Sequence, residues 1–321
     1  MKKSTIQCLK LARKIYMNAF LDREGLYGSH PVIRNRHANK VIAEAITSPK
    51  PMMVARLGAV EASCIGIYKS MHSPGNRPLN YIRGRAEAFW WEENSMSLMA
   101  NNAGFFPAEP VMLEKFSSLM LEDMAQVDVL GSWLWQEKLF NKELQNAIRI
   151  GLTDLEPYNH ENPWSLSLAG KRVLVVHPFT KSISEQYTKR HLIFKDSPVL
   201  PDFDLLTLKA VQSIANTPTG YRNWFDALSH MKEQISSIDF DVAIIGCGAY
   251  GFPLAAHVKR IGKKGIHLGG ATQTLFGIKG KRWETQKIHG RVADMMNEHW
   301  VRPQLGETPQ GIKSIEDGCY W

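Results

Sequence analysis

The chain has 321 residues, enough for two average domains or one large α/β domain. Hydrophobic residues make up 44%, charged residues 22% and aromatics 10%, which excludes a disordered tail, a collagen-like repeat and a disulfide-stapled mini-protein. Lys plus Arg (39) exceed Asp plus Glu (31) by 8, a surplus that suits an anionic ligand, an acidic membrane surface or plain solubility.

Residues 1–48 form an N-terminal segment in which 6 to 20 read as a basic amphipathic helix, with Ile6, Leu9, Ile15 and Phe20 among its apolar members. Such a helix either packs on the domain or makes a peripheral membrane contact. Its cations break the apolar run a signal peptide needs, and no stretch reaches the roughly 18 to 20 apolar residues of a membrane span. Cys8, Cys64, Cys247 and Cys319 lie far apart with no zinc or redox spacing. Free thiols in a reducing, cytoplasmic compartment follow.

A domain over 49–300 carries the legible pattern. Met52 to Leu57 reads as a strand, Gly58 as a turn and Val60 to Tyr68 as a helix. Residues 85 to 160 read as a helical, aromatic-rich insertion whose rings (Phe89, Trp90, Trp91, Phe105, Phe106, Trp133, Trp135) are expected in the core. Val173 to Val176 reads as a buried strand ending at His177. Ser182 and Glu185 fit a capping box opening a helix to about Phe194. Trp224, Leu228, Met231, Ile235 and Ile238 form one stripe of an amphipathic helix. The strand Phe240–Ile245, the turn 246–251, a short helix to Ile261 and the strand 266–268 complete a strand–helix–strand unit. Residues 301–321 read as an irregular tail. The fold class is α/β, with a Rossmann-like, mostly parallel sheet flanked by helices.

In such a sheet ligands bind beyond the carboxyl ends of the strands. Four of these ends are readable: Gly58 to Glu61, His177 to Lys181, Gly246 to Gly251, and Gly269 to Gln273. Gly246-Cys247-Gly248-Ala249-Tyr250-Gly251 has the G-x-G-x-x-G spacing in a strand-to-helix turn, which suits a pyrophosphate or simply a tight turn. The next strand ends in His267-Leu268-Gly269-Gly270, without the ribose-binding carboxylate of a dinucleotide enzyme, which opposes an oxidoreductase. Gly277 to Trp283 concentrates Lys279, Lys281 and Arg282, donors for a diphosphate or a solvated turn. Glu61, in a first helical turn, suits a metal or sugar hydroxyl, or complements the helix dipole. His177 and His267 are candidate general bases or structural residues. No nucleophile elbow, zinc helix or nucleic-acid motif is present.

The run Met53-Val-Ala-Arg-Leu-Gly-Ala-Val-Glu61 resembles the Arg-x-Gly-Asp-Gly-Glu motif of GT-D-type glycosyltransferases, bacterial enzymes that use nucleotide-sugar donors. Asp241 to Trp283 is similar to that superfamily's C-terminal strand–helix–strand block. Residues 50–321 as a whole resemble proteins of bacterial polysaccharide clusters grouped with it. The resemblance implies a glycosyltransferase of surface-polysaccharide synthesis, with a nucleotide sugar as co-substrate and a Mn or Mg ion held at an Asp-x-Glu motif. By position, Arg56, Gly58 and Glu61 match the motif. Ala59 stands for the Asp, Val60 for the second Gly, and Gly269-Gly270 for a Gly-His pair, so one metal-facing carboxylate is missing.

The expectation is therefore a cytoplasmic enzyme moving a sugar to a saccharide or lipid-linked saccharide, with no nucleic-acid partner. Glu61 and His267 are its expected catalytic groups and Glu61 its metal contact. Arg56, Gly58, Gly246, Gly248, Tyr250, Gly269, Gly270, Gln273, Lys279, Lys281 and Arg282 are expected on the donor. The alternatives are a non-catalytic nucleotide-sugar-binding or scaffold protein and a dinucleotide-dependent oxidoreductase.

Overall fold

A computed structural model of the chain describes residues 1–20, 32–195, 197–285, 290–309, 311, 318 and 320–321. Seven short strands build its sheet: β1 (Met52–Ala55), β2 (Val129–Ser132), β3 (Ile148–Gly151), β4 (Arg172–His177), β5 (Asp204–Lys209), β6 (Val242–Ile245) and β7 (Lys264–His267). Their order is β3-β2-β1-β7-β6-β4-β5, and every pairing is parallel. Among the described residues the helices of nine or more residues are α1 (Lys3–Phe20), α2 (Asn35–Thr47), α3 (Ala59–His72), α4 (Glu93–Asn101), α5 (Pro110–Met124), α6 (Thr180–Thr188), α7 (Trp224–Ser237) and α8 (Gly251–Arg260).

The central strands are buried on both sides, which is why they read as continuous apolar runs. Alternate residues still serve different layers. Met53, Ala55, Leu174, Val176, Ala243 and Ile245 pack under α3, α5, α7 and α8. Met52, Val54, Val173, Val175, Val242 and Ile244 pack on the opposite face with α2 and α6.

This two-sided winding creates the site. β1 and β6 send the chain into α3 and α8 on one face, whereas β4 and β7 send it to α6 and the short helix Ala271–Leu275 on the other. Neighbouring strands that exit in opposite directions leave a crevice at their carboxyl edge.

Stretch 85–160 is helical only in part. It contains α4 and α5, but also β2 and β3, so two of the seven strands lie where the pattern reads an insertion. Four-residue strands with Gly131 and Arg149 inside them carry too little β-branched signal to stand out. Several of the aromatic rings do form core. Trp224 stacks on Tyr250 at 4.9 Å and lies 5.3 Å from both Phe105 and Phe116.

Two further expectations change. α6 starts at Thr180, and Ser182 and Glu185 form no capping box. Glu307, 125 residues away, instead accepts from the Lys181 and Ser182 amides and from the Ser182 hydroxyl. The helix also stops at Thr188, with a separate turn over Arg190–Ile193. The tail is therefore tied to the domain.

α1 docks through Arg13, which donates to the Tyr81 and Ala86 carbonyls at 2.8 and 2.9 Å. Ile6 and Leu9 pack beside Tyr81 and Trp90, whereas Leu11, Ile15 and Phe20 are exposed. Among the described residues no helix is long and apolar enough to cross a membrane. Cys8, Cys64 and Cys247 are free thiols, and Cys319 lies outside the described residues.

Trp224 joins the stretch around Phe105 to the turn after β6. Trp224→Ala should lower the unfolding free energy by about 3–5 kcal/mol in denaturant titrations, the usual cost of an emptied aromatic site.

Candidate functional site

A cleft of about 450 Å³ opens at the carboxyl edge of the sheet, and residues following all seven strands line it. Its size falls within the range of small-molecule sites, roughly 300–1,000 Å³.

Arg56 leaves the end of β1 at the cleft floor. Its stem runs across Gly269, where an added Cβ would meet Arg56 Cδ at 3.5 Å. Its guanidinium lies 4.9 Å from the Trp133 ring centroid, and the Trp133 indole N–H is fixed on the Leu57 carbonyl at 3.0 Å. Burial pulls the Arg56 pKa below its ordinary value, while Tyr320, Glu61 and Glu156 pull it back. Yet among the described residues no hydrogen bond, and no ion pair within 4.0 Å, engages this guanidinium. It is a half-buried cation whose donors are open to the cleft.

Two carboxyls flank it. Glu61 occupies the first turn of α3 and folds back over Gly58, where an added Cβ would strike its Oε2 at 2.0 Å. Burial raises its pKa against two opposing influences, a hydrogen bond from its own backbone amide and attraction to Arg56. Glu156, beyond β3, accepts from the Asn159 side chain at 3.1 Å, and burial raises its pKa too.

The two histidines have opposite tautomers. The Phe179 amide donates to His177 Nδ1 at 3.0 Å, so the neutral ring carries its proton on Nε2. His267 Nδ1 donates to the Ile245 carbonyl at 3.2 Å, which leaves a lone pair on Nε2. Burial lowers both to about 3, with Arg56 adding repulsion at His267. One ring thus offers a donor and the other an acceptor. Gly251, last of the glycine motif, admits the His267 ring: an added Cβ would sit 2.2 Å from its Cε1. This glycine serves packing.

The remaining expected residues divide. Gly246, Gly248, Gly269, Gly270 and Arg282 line the cleft. Tyr250 lines it as well, but its ring is stacked on Trp224 and its hydroxyl lies 3.2 Å from Ser213 Oγ. Gln273 uses its amide on the Lys279 and Tyr320 carbonyls, tying the tail to the cleft wall. Arg282 lies over the Tyr320 ring at 4.8 Å. Lys279 and Lys281 are not among the lining residues, and Lys281 is exposed. Cys247 lines the cleft, but burial raises its thiol pKa, so it is no ready nucleophile.

Glu156, Trp133, Tyr320 and Trp321 were not singled out as site residues in the sequence. Recognising β2 and β3 would have pointed to Trp133 and Glu156, which follow their carboxyl ends.

The donor set does not suit a divalent cation. Among the described residues no three His, Cys, Asp or Glu side chains cluster in a way that could hold one. Ala59 offers no ligand, Glu61 is turned onto its own amide, and a metal at Glu61 would face the charge of Arg56.

No family model, curated protein or solved structure matches this chain.

An unfolded imidazole titrates near 6.5, but these native rings resist protonation down to about 3. Between those values the unfolded chain binds more protons, so stability is lost as pH falls below 6.5, by about 1.4 kcal/mol per pH unit and ring. His267→Gln should make urea-measured stability between pH 6 and pH 4 shallower by about that slope.

Proposed function

We propose that this chain is a glycosyltransferase that moves a sugar from a nucleoside diphosphate donor to an acceptor hydroxyl. The observation that carries this reading is the Arg56 guanidinium, held without an ion pair among the described residues, at the meeting point of the seven strand ends. An anionic leaving group can make the direct ion pair that no described residue makes. The resemblance of Arg56 to Glu61 and of Asp241 to Trp283 to GT-D-type enzymes supports it.

On this reading the bond from the sugar's anomeric carbon to the diphosphate oxygen breaks, and the electron pair leaves with the diphosphate. Arg56 stabilises that charge, with Arg282 also lining the cleft. The acceptor oxygen bonds to the anomeric carbon, and its proton passes to a base. Glu61 is the better base of the two candidates, because burial raises its basicity while it lowers that of His267. His267 Nε2 instead accepts a hydrogen bond and orients a hydroxyl. The acceptor is a saccharide or lipid-linked saccharide. The exposed Leu11 and Ile15 of α1, with Lys3 and Lys14 on the same helix, meet an anionic membrane surface from the cytoplasmic side.

Ala59 favours one second reading, a nucleotide-sugar-binding protein without turnover. An assay of nucleoside diphosphate release from UDP- and GDP-sugars separates the two. Release by the wild type, cut by about 10²- to 10⁴-fold in Glu61→Gln with little change in KM, is the expected result. Binding without release establishes the second reading, and equal rates for variant and wild type remove Glu61 from the chemistry.

A further inference from the structure

We propose that the cleft binds the pyrophosphate of its ligand directly on Arg56, with no divalent cation between them. This rests on the transferase reading for the identity of the ligand and deepens it by specifying how the charge is met.

Two negatively charged phosphates in a low-dielectric cleft need a positive counterpart, supplied either by a metal ion or by fixed cations. Arg56 has the properties of such a fixed cation. Its orientation is set by Trp133 beneath the guanidinium and by Gly269 along the stem, so little freedom is lost when a ligand arrives. Its planar fork matches two phosphate oxygens at once. Glu61 and Glu156 lie close enough to attract it, but neither reaches within the 4.0 Å of an ion pair. A half-buried arginine kept only for structure normally closes such a pair. Here the two acids bracket the guanidinium and leave its donors open.

The surroundings fit phosphates. Gly246, Gly248, Gly269 and Gly270 line the cleft; Gly246 and Gly270 make room for Thr272 and Trp283, and Gly269 for the Arg56 stem. Glu61 is directed to its own amide and Ala59 has no oxygen to offer, so the usual bridging position of a metal between carboxylates and phosphate has one side only. A cation placed there would sit beside the guanidinium.

Isothermal titration of the full chain with UDP, GDP and inorganic pyrophosphate, in excess EDTA and in excess MnCl₂, tests this. The expected result is affinity for a nucleotide and for pyrophosphate that agrees within about twofold between the two conditions. Arg56→Met should bind both at least about 30-fold more weakly, the loss of charge-assisted hydrogen bonds.

Affinity at least about tenfold higher with manganese overturns the inference and leaves the transferase reading standing. Unchanged affinity in Arg56→Met overturns it as well. Pyrophosphate binding without any nucleotide binding overturns the transferase reading alone. No binding of any probe overturns both. Should Arg56→Met not fold, Arg56→Lys provides the measurement: about tenfold weaker binding supports the arginine fork, and wild-type affinity contradicts it.

Discussion

A half-buried arginine side chain that makes no ion pair among the described residues leaves its charge to be met by cleft water or by a ligand. Arg56 is in that state, and the residues around it make sense in relation to it. Trp133 receives its flat face, Gly269 gives way to its stem, and Glu61 and Glu156 hold their carboxyls near without closing a salt bridge. Its charge also explains part of why His267 stays neutral. If the guanidinium were satisfied by the protein, the cleft would be a polar hollow with no demand for any particular ligand. Because it is not, the proposed ligand is an anion.

The sheet topology creates the conditions for that demand. Strands β1 and β7 are paired neighbours whose outgoing chains turn to opposite faces, so Arg56 at the end of one and Gly269 beyond the other can meet without a helix between them. β6 on the far side of β7 brings in the Gly246–Gly248 turn, and β4 brings in His177. The carboxyl-terminal residues close the same edge. Glu307 caps α6, Gln273 holds the Tyr320 carbonyl, and Tyr320 receives Arg282. Tyr320 and Trp321 are part of the site's wall.

Much of this framework was legible in the sequence, and the gaps have physical causes. β4, β6 and α7 are set by burial on a regular period, and period is what a sequence displays. The G-x-G-x-x-G turn was legible as a close approach of backbone, but its last glycine answers to the His267 ring rather than to a cofactor. β2 and β3 escaped because four residues with Gly131 or Arg149 among them have no clear period. With them went Trp133 and Glu156, which matter only because those strands end where they do. β5 escaped as an edge strand whose Asp204 and Lys209 are exposed. The α6 cap was beyond any local reading, since its acceptor lies 125 residues away. Nor does the sequence show that Lys279 and Lys281 miss the cleft while Arg282, their neighbour, reaches it. Turn direction decides that, and turn direction is a tertiary property.

The most direct test of the account is a crystal structure of the chain grown with a nucleoside diphosphate and EDTA. Phosphate oxygens are expected within about 2.7–3.2 Å of the Arg56 guanidinium nitrogens, with the nucleotide lying in the cleft at the carboxyl edge of the sheet. A nucleotide bound elsewhere, or one in the cleft whose phosphates leave Arg56 untouched, would contradict it.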